Sequence, residues 1–468
     1  MASPVHSGIA RLTLDFVVVG GGLAGLSVAH MLCQAGHRVR VLERQPSLSS
    51  SGPRAGGLRV PPNMSKILKR WVGEEAIRKS AVRCLESPWW DLHTGESYGY
   101  APWRLDVMTE TGGDFFLMAY HDVHELIYGA AVESGAQIDF GVTVTEVIPG
   151  NPKPSVKLST GEIVTGDIII GADGPRSMVR EVVVGEEDQP RPSGITALSG
   201  IVPASELAKD PELYELVTAE KWPMMMGHNR SLCRESNRSH SELMLLIHWP
   251  DEEVGTPEDA AESWFDKVPT ESLNLEGIIP LYQRLIKMAP CLWRSRNMER
   301  DEIEDWIDES GRIVLIGEGA HPWVQGLTHG PSMCLEDAVV FGKLFSHLSS
   351  WEQIPTFLSA YEQIRMARIP GVRERDDGNA MIVRLPPGPI RDARNAGLQV
   401  PRQEWDEGTV KTEFEGVAML FAYDAYDAAE EWWIQWGRYL ERTPADDKPI
   451  HGDTMLSLAA TNVTVAYV

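Results

Sequence analysis

The sequence predicts an α/β protein with α+β elements, in which an N-terminal βαβ unit is followed by a strand-rich layer and then by helices. Residues 15–44 alternate apolar runs with a glycine-rich turn. Residues 166–181 and 311–338 each contain an apolar run that ends in a polar, glycine-containing turn. Most of residues 351–440 has helical periodicity, interrupted by "RLPPGPIRDARNAG" at 384–397.

The N-terminal unit follows from its residue types. The β-branched and apolar run at 15–19 predicts a buried strand, and residues 23–35 predict a helix with small residues on one face. Residues 38–43 predict the second strand. The segment "QPSLSSSGPRAGGLRVPPN" at 45–63 is rich in Ser, Gly and Pro, and it predicts a loop.

The middle of the chain contains further helices and strands. Helical patterns occur at about 64–71 and 122–134. The segment "VKLSTGEIVTGDIIIGADG" at 156–174 predicts a hairpin and then a strand that ends in Asp-Gly. "HSELMLLIHWP" at 240–250 predicts a buried strand, and we expect the middle section to form a second layer around an apolar ligand.

Composition restricts the class of protein. The 468 residues are 43% hydrophobic and 24% charged, which is ordinary for a globular protein of two or three domains. With 43 Lys and Arg against 67 Asp and Glu, the formal net charge is -24. Because such a chain repels a phosphate backbone, we expect no nucleic-acid partner.

Cysteine usage and hydropathy suggest a reducing, aqueous location. The 5 cysteines form no CxxC pair, so we expect no disulfide scaffold and no metal site. The N-terminus lacks the apolar core of a signal peptide. No apolar run reaches about 18 residues, so we expect no membrane span and a cytoplasmic protein.

A glycine fingerprint joins the first strand to the first helix. Gly20 allows a tight turn, Gly22 lets the backbone approach a pyrophosphate, and Gly25 lets the helix pack closely on the strand. Leu23 and Ala24 open the helix, whose N-terminus offers N–H donors to phosphates. We therefore predict that this turn binds an adenine dinucleotide.

The acid at the end of the second strand narrows the choice of dinucleotide. Glu43 can accept hydrogen bonds from both ribose hydroxyls, and its charge repels a 2′-phosphate. NADP is therefore a poor resident ligand. The motif by itself leaves FAD and NAD open, and it occurs once in the chain.

Three motifs in order resemble one enzyme family. Together with the glycine turn, "GDIIIGADGPRSMVRE" at 166–181 and "GRIVLIGEGAHPWVQGLTHGPSMCLEDA" at 311–338 resemble the single-component FAD-dependent aromatic hydroxylases. These group A flavoprotein monooxygenases are typified by para-hydroxybenzoate and salicylate hydroxylases. Residues 55–63 and 384–394 are also similar to salicylate-hydroxylase-like members, including relatives from natural-product pathways. The resemblance spans about 15–440.

The resemblance implies a Rossmann-type FAD-binding domain with an inserted β-sheet substrate domain and C-terminal helices, in a monomer or homodimer. The implied FAD-binding domain is discontinuous and comprises residues 1–75, 115–185 and 295–395. The implied substrate domain comprises residues 76–114 and 186–294, and the C-terminal helical extension comprises residues 396–468.

The resemblance also implies cofactor contacts at the adenosine and phosphate end. Glu43 would hold the adenosine ribose. Asp173, with Gly174, would serve the pyrophosphate and the passage of NAD(P)H. Tyr120 stands where the family has an arginine that neutralises FAD phosphate, so Arg44, Arg59 or His121 would substitute.

Further implied contacts lie at the flavin end. Gly57, like Arg59, would lie near the flavin or its phosphates. Gly317 and Glu318 would contact the ribityl or pyrophosphate part. Gly330 and Pro331 would lie beside the flavin ring, where a helix N-terminus stabilises negative charge on the reduced flavin.

Several positions depart from the family pattern. Glu318 replaces the usual Asp, Gln325 a usual Pro, and His329 and Ser332 the usual Gln and Asn of the flavin loop. We interpret His329 as a residue that forms a hydrogen bond within the loop. The alternative is that His329 donates a hydrogen bond to the flavin or is its point of covalent attachment. Ser199 replaces an Arg that the family often has, so the resemblance does not assure an anionic substrate.

The implied reaction is monooxygenation. NAD(P)H as co-substrate would reduce the FAD, and O2 would form a flavin C4a-hydroperoxide that hydroxylates a small aromatic substrate, a phenol or phenolic acid, with or without decarboxylation. Epoxidation or hydroxylation of an indole-type or polycyclic natural product is the first alternative. An FAD-dependent amine oxidase, an NAD-dependent dehydrogenase and a non-catalytic flavoprotein also stay open, as does the choice between NADH and NADPH.

Two residues are predicted to be catalytic. Arg191 lies in a segment that resembles the family's entry into the substrate sheet, and its alternative is a surface arginine. His248 lies on a predicted strand of that sheet, and its alternative is a core histidine with satisfied hydrogen bonds. Trp222, residues 224–226 and Trp249 can line an aromatic pocket, although ordinary packing explains each equally well.

Overall fold

The computed structural model describes residues 8–48, 56–103, 108, 110–150, 153–237, 240–260, 262–399, 416 and 419–441. It has the mixed helix and sheet content that the sequence predicts. Residues 400–415 and 442–468 of the predicted C-terminal extension lie outside the described residues, as does Ala55 of the 55–63 motif. None of the described helices combines the length and the apolar character needed to cross a bilayer.

A parallel sheet forms the centre of the first layer. Its strands are β1 (Asp15–Val19), β2 (Arg38–Glu43), β8 (Gln137–Phe140), β12 (Ile168–Gly171) and β19 (Ile313–Leu315). Their order is β19-β12-β1-β2-β8, and each neighbouring pair is parallel. β12 and β19 are buried along their whole length, because helices cover the sheet. Burial explains why these strands are continuous apolar runs.

The register of this sheet brings the three sequence motifs to one edge. Val19 pairs with Gly171, and Gly171 pairs with Leu315. The turns that follow β1, β12 and β19 therefore lie side by side at the carboxyl ends of their strands, which is where ligands bind in such sheets.

A second, larger sheet forms the other layer. Its strands are β5 (Glu86–Asp91), β6 (Ser97–Pro102), β13 (Arg191–Pro203), β14 (Met224–Met226), β15 (Ser231–Ser236), β16 (Glu242–Pro250), β17 (Asp266–Val268) and β18 (Leu292–Glu299). Their order is β17-β18-β13-β16-β15-β14-β5-β6. The β14–β5 pair is parallel, and the other pairs are antiparallel.

The two faces of the larger sheet have different environments. Leu245 and Ile247 of β16 belong to a core formed with a helix at Pro280–Met288. The alternate residue Leu246 contacts the turn at Gly326, which belongs to the first layer. Because side chains alternate along a strand, one face of the sheet holds its own core and the other is available to a ligand between the layers.

The remaining strands are β3 (Gly57–Val60), β4 (Val82–Arg83), β7 (Phe116–Ala119), β9 (Val144–Ile148), β10 (Ser155–Leu158) and β11 (Ile163–Thr165). They form two small antiparallel sheets, with the orders β3-β7-β4 and β11-β10-β9. The helices are α1 (Leu23–Gln34), α2 (Pro62–Val72), α3 (Glu74–Ser80), α4 (Tyr120–Glu133), α5 (Met178–Val184), α6 (Ala204–Leu207), α7 (Pro211–Val217), α8 (Asp251–Val254), α9 (Pro280–Met288), α10 (Gly330–Phe345), α11 (Ile354–Val383), α12 (Pro389–Gln399) and α13 (Ala425–Gln435).

The structure corrects the loop prediction for 45–63. The segment includes β3, which pairs with β7, and the first residues of α2. A strand whose partner lies far along the chain leaves no local signal, and Pro62 fits the first turn of a helix because its missing N–H has no partner there. The predicted break at 384–397 is also too long, since α12 begins at Pro389.

A buried ionic network joins α10, α11 and the turn after β19. Arg365 of α11 donates to Glu336 at 2.9 Å and to Asp337 at 2.6 Å, both on α10. Asp337 also accepts from the Gly317 N–H at 2.9 Å and lies 2.6 Å from His321 Nε2. Burial alone would raise the pKa of Asp337, but interactions with His321 and Arg365 lower it below its ordinary value.

Removing the cation of this network should destabilise the fold. Arg365→Met would remove the cation that Glu336 and Asp337 share, and breaking such a buried pair typically costs about 3–5 kcal/mol. Asp337 would keep only His321, and Glu336 only the 3.4 Å contact with Arg368. The measurement is the urea midpoint of unfolding. Arg38→Met, which removes the surface pair with Asp15, is the matched control and should leave the midpoint unchanged. Equal midpoints for the two variants would contradict the prediction.

Candidate functional site

A continuous cleft runs from the edge of the parallel sheet to the larger sheet. Its outer part, the outer cleft, has a volume of about 440 Å³, and its inner part, the inner cleft, about 200 Å³. Tyr120, Trp264, Glu318 and Gln325 line both parts, so the two form one site.

The predicted cofactor residues converge on this cleft. The outer cleft is lined by Gly20, Gly22, Glu43, Arg44, Tyr120, Asp173, Gly174 and Glu318. The inner cleft is lined by Gly22, Leu23, Ala24, Gly57, Arg59, Tyr120, Gly174, Glu318, Gly330 and Pro331. Gly25 and Gly317 lie beneath the lining, where they have packing roles.

Gly25 and Gly317 allow close approach of backbones. A Cβ on Gly25 would collide with the Gly20 carbonyl oxygen, so glycine is needed where α1 packs on the turn. Gly317 has φ of 61°, and a Cβ there would lie 2.6 Å from that of Ala24. These contacts fix the start of α1 against the turn after β19.

The Glu43 carboxylate is held beside the glycine turn. Its Oε2 accepts from the Gly21 N–H at 2.6 Å, and its Oε1 accepts from the Gln45 N–H at 2.7 Å. The imidazole of His124 lies 2.8 Å from the Gly21 carbonyl oxygen, opposite the Glu43 bond. Each carboxylate oxygen can accept a further hydrogen bond, so the group suits a ribose diol.

Asp173 ends the second motif strand and organises the turn that follows it. It accepts from the Ser177 hydroxyl at 2.5 Å and from the Met178 N–H at 2.9 Å. Burial raises the pKa of Asp173 to about 6. Arg180 then donates to the Gly319 carbonyl oxygen at 3.2 Å, which ties this motif to the turn after β19.

Glu318 and its neighbours occupy the middle of the cleft. Gln325 Nε2 donates to Glu318 Oε1 at 2.9 Å, and Gln325 Oε1 accepts from the Trp264 indole N–H at 3.0 Å. Desolvation and the nearby carboxylate of Glu262 raise the pKa of Glu318 to about 7. The carboxyl can therefore be protonated at neutral pH, and it can then donate as well as accept.

The N-terminus of α10 faces the inner cleft. Gly330 and Pro331 line the cleft, and no side chain caps this end of the helix. The N–H groups of a first helical turn have no intrahelical partner, so they can bind an electronegative ring edge. Asp376 accepts from the His329 N–H at 2.8 Å and from the Trp323 indole at 3.0 Å, which fixes the loop before the helix.

His329 itself lies in a buried setting against Phe421. Within the described chain its Nδ1 has no hydrogen-bond partner, and the residue does not line either part of the cleft. Desolvation lowers its pKa. The predicted loop hydrogen bond of its side chain is therefore not formed by the described residues.

The structure separates the two predicted catalytic residues. Arg191 is exposed and pairs with Asp301 at 2.7 Å, away from the residues that line the cleft. His248 is buried, and its Nε2 lies 2.9 Å from the Gln325 carbonyl oxygen. Burial lowers the pKa of His248 to about 4, so the ring is neutral and donates that bond. His248 thus holds the cleft loop, and Arg191 does not reach it.

The predicted aromatic residues divide between the faces of the larger sheet. Trp249 and Met225 are buried in the core on the α9 side. Trp222 lies under the Arg59 guanidinium, 5.6 Å from its ring centroid to the guanidinium carbon. The ordinary-packing interpretation therefore holds for Trp249 and Met225, whereas Trp222 borders the cleft through Arg59.

Sequence reasoning missed several residues around the cleft. They are His124, Glu235, Trp264 and Asp376. Each reaches its partner from a distant part of the chain. His124 belongs to the family-like segment "YHDVH" at 120–124, and the other three belong to no motif. A charged residue in the middle of a buried strand, as Glu235 is in β15, is the one signal that could have been noticed.

The cleft fits an adenine dinucleotide that carries a large planar ring. The glycine turn and Glu43 suit the adenosine and pyrophosphate end. The uncapped N-terminus of α10 suits the electronegative edge of the ring, which would lie in the inner cleft.

Comparisons with known proteins point the same way. The family model described as FAD binding domain matches residues 13–376. "FAD-dependent monooxygenase OpS4" of Beauveria bassiana (strain ARSEF 2860) is 27% identical over 402 residues, 86% of this chain and 92% of the relative. "3-hydroxybenzoate 6-hydroxylase 1" of Aquipseudomonas alcaligenes is 27% identical over 76% of this chain and 85% of its own. The structure of CtdE with FAD and a substrate shares the fold, with TM-score 0.73, 17% identity and coverage of 92% and 100%.

A pair of glycine variants separates packing from ligand binding. Gly25→Ala should lower the melting temperature, because the added Cβ overlaps the Gly20 carbonyl and such overpacking costs about 1–3 kcal/mol. At Gly22 no described atom lies within 4 Å of an added Cβ. Gly22→Ala should therefore keep the stability of the protein without FAD but weaken FAD binding by about tenfold or more, since the methyl group displaces the pyrophosphate. Melting curves and FAD titrations check both, and unchanged FAD affinity in Gly22→Ala would contradict the assigned contact.

The raised pKa of Glu318 predicts a pH dependence of stability. The folded protein holds this proton more tightly than the unfolded chain, so the contribution is complete below the ordinary pKa of 4.5 and is lost as the pH rises through about 7. Without FAD, the melting temperature should fall between about pH 4.5 and pH 7 more steeply in the parent protein than in Glu318→Gln. Parallel pH profiles for the two proteins would show that Glu318 does not carry the effect.

Proposed function

Because the chain belongs to the FAD binding domain family and is an FAD-dependent monooxygenase of the aromatic hydroxylase type, we propose that it uses NAD(P)H and O2 to hydroxylate a small, electron-rich aromatic substrate. A phenol is the substrate class that the inner cleft favours. The proposal concerns the co-substrates and the substrate; FAD is the cofactor of the family.

One observation carries this proposal. The inner cleft joins the N-terminus of α10 to the ligand face of the larger sheet, and apolar side chains form much of its wall. They are Leu23, Leu58, Leu246, Trp323, Val324 and Leu327. When bound, FAD supplies the redox and oxygen-transfer chemistry, and a dry apolar chamber around its ring keeps reactive oxygen from water. An aromatic ring is the substrate shape that such walls bind best.

The chain's own residues supply binding and orientation. Glu43 and the glycine turn would hold the adenosine and pyrophosphate end of FAD, and Glu318 would hydrogen-bond its ribityl chain. The first-turn N–H groups of α10 would stabilise the negative charge that reduction places on the ring. His248 and Arg59 would fix the loop at 325–327, which lines the inner cleft. A second dinucleotide fingerprint does not occur in the sequence, which supports NAD(P)H as a transient co-substrate.

The test is substrate-stimulated oxidation of NADH or NADPH by the FAD-loaded protein. A panel of phenols, phenolic acids and indoles is incubated under ¹⁸O2. We expect at least one phenol to accelerate NAD(P)H consumption and to give a product that gains one labelled oxygen atom. Amine oxidation without NAD(P)H, or NAD(P)H consumption that yields hydrogen peroxide with every compound, would contradict the proposal.

A further inference from the structure

A buried ion pair lies at the wall of the inner cleft. Arg59 of β3 donates to Glu235 of β15 at 3.0 Å, and both side chains are almost completely buried. Gly57 makes room for this pair, because a Cβ there would overlap the Glu235 carboxylate. Arg59 also donates to the carbonyl oxygens of Gly326 and Leu327.

Glu235 determines the net charge that a ligand meets in the inner cleft. Among the described residues that line the inner cleft, Arg59 is the only cation and Glu318 the only carboxylate. Glu235 neutralises Arg59, so the wall offers no uncompensated positive charge. A buried carboxylate on a substrate would have to give up its hydration without gaining a counter-charge, which is costly.

The pair meets the inner cleft through Arg59. Arg59 lines the inner cleft, whereas Glu235 lies behind it and lines neither part of the cleft. A ligand in the inner cleft therefore senses Glu235 through the charge that it neutralises on Arg59.

We propose that Glu235 makes this enzyme selective for an uncharged aromatic substrate and that it excludes aromatic carboxylates. The inference rests on the proposed function, in which the inner cleft binds the substrate beside the flavin, and it deepens that function by naming the substrate class. Glu235 determines specificity through Arg59, whose charge it neutralises at the wall of the inner cleft.

Arg384 is the competing cation. It acts electrostatically on His248, and its Nε donates to the Ala380 carbonyl oxygen at 2.9 Å. It does not line either part of the cleft. If Arg384 received a substrate carboxylate, the parent protein would prefer anionic ligands, so the two assignments predict opposite results.

The experiment measures binding of matched neutral and anionic probes to the FAD-loaded protein, read as perturbation of flavin absorbance. The probes are salicylamide against salicylate, and methyl 3-hydroxybenzoate against 3-hydroxybenzoate, at neutral pH. We expect the parent protein to bind the neutral member of each pair about tenfold more tightly or better. Glu235→Gln, which keeps the shape but leaves Arg59 uncompensated, should shift this ratio toward the carboxylate by about tenfold.

Controls make every outcome decisive. Arg384→Gln should leave the neutral-to-anionic ratio unchanged, and FAD content and melting temperature verify that each variant is folded. The proposal is overturned if the parent protein prefers carboxylates or binds no neutral probe, and this holds even if Glu235→Gln fails to fold. It is also overturned if Glu235→Gln folds and its neutral-to-anionic ratio equals that of the parent protein. NAD(P)H oxidation is assayed separately, so its absence would contradict the proposed function while the binding ratio still decides the role of Glu235.

Discussion

The geometry of the site depends on one buried carboxylate, that of Asp337. It binds the Gly317 N–H, His321 and Arg365 at once, and it is fully buried. A carboxylate with three partners cannot move without leaving a charge unpaired in the protein interior, which is costly. Asp337 therefore fixes the turn after β19 relative to α10, and with it the position of every group that the cleft receives from this segment.

From that fixed turn, the loop at 325–327 is attached by three groups, two on the larger sheet and one on β3. His248 donates to the Gln325 carbonyl oxygen, Asn297 accepts from the Gln325 N–H at 3.2 Å, and Arg59 binds the next two carbonyl oxygens. The two layers thus meet through backbone groups, and side-chain identity in the loop can vary. Gln325 stands where the family has proline, and it adds two interactions that proline cannot make. Its N–H donates to Asn297, and its side chain joins Glu318 to Trp264.

The sequence was most informative where function depends on local backbone geometry. The fingerprint from Gly20 to Gly25 requires glycine for steric reasons that hold in any such turn, so the βαβ unit could be predicted. The partners of the cleft could not: β3 depends on β7 for its hydrogen bonds, and Glu235 becomes relevant only because Gly57 lies opposite it. Arg191 shows the opposite case, since a motif-like context could not reveal that its side chain turns to the surface and pairs with Asp301.

Arg59 links substrate choice to flavin geometry. Its guanidinium binds Glu235 on the sheet side and two carbonyl oxygens of the loop on the other. Burial removes the hydration of Arg59, and its three partners together compensate for that loss. A change at one partner therefore alters the hydrogen bonds of Arg59 to the others. A carboxylate ligand would compete with Glu235 for Arg59 and weaken the hold of Arg59 on the loop that encloses the ring. An uncharged substrate leaves the loop in place. A neutral substrate is therefore also the substrate that keeps the inner cleft ordered around the ring.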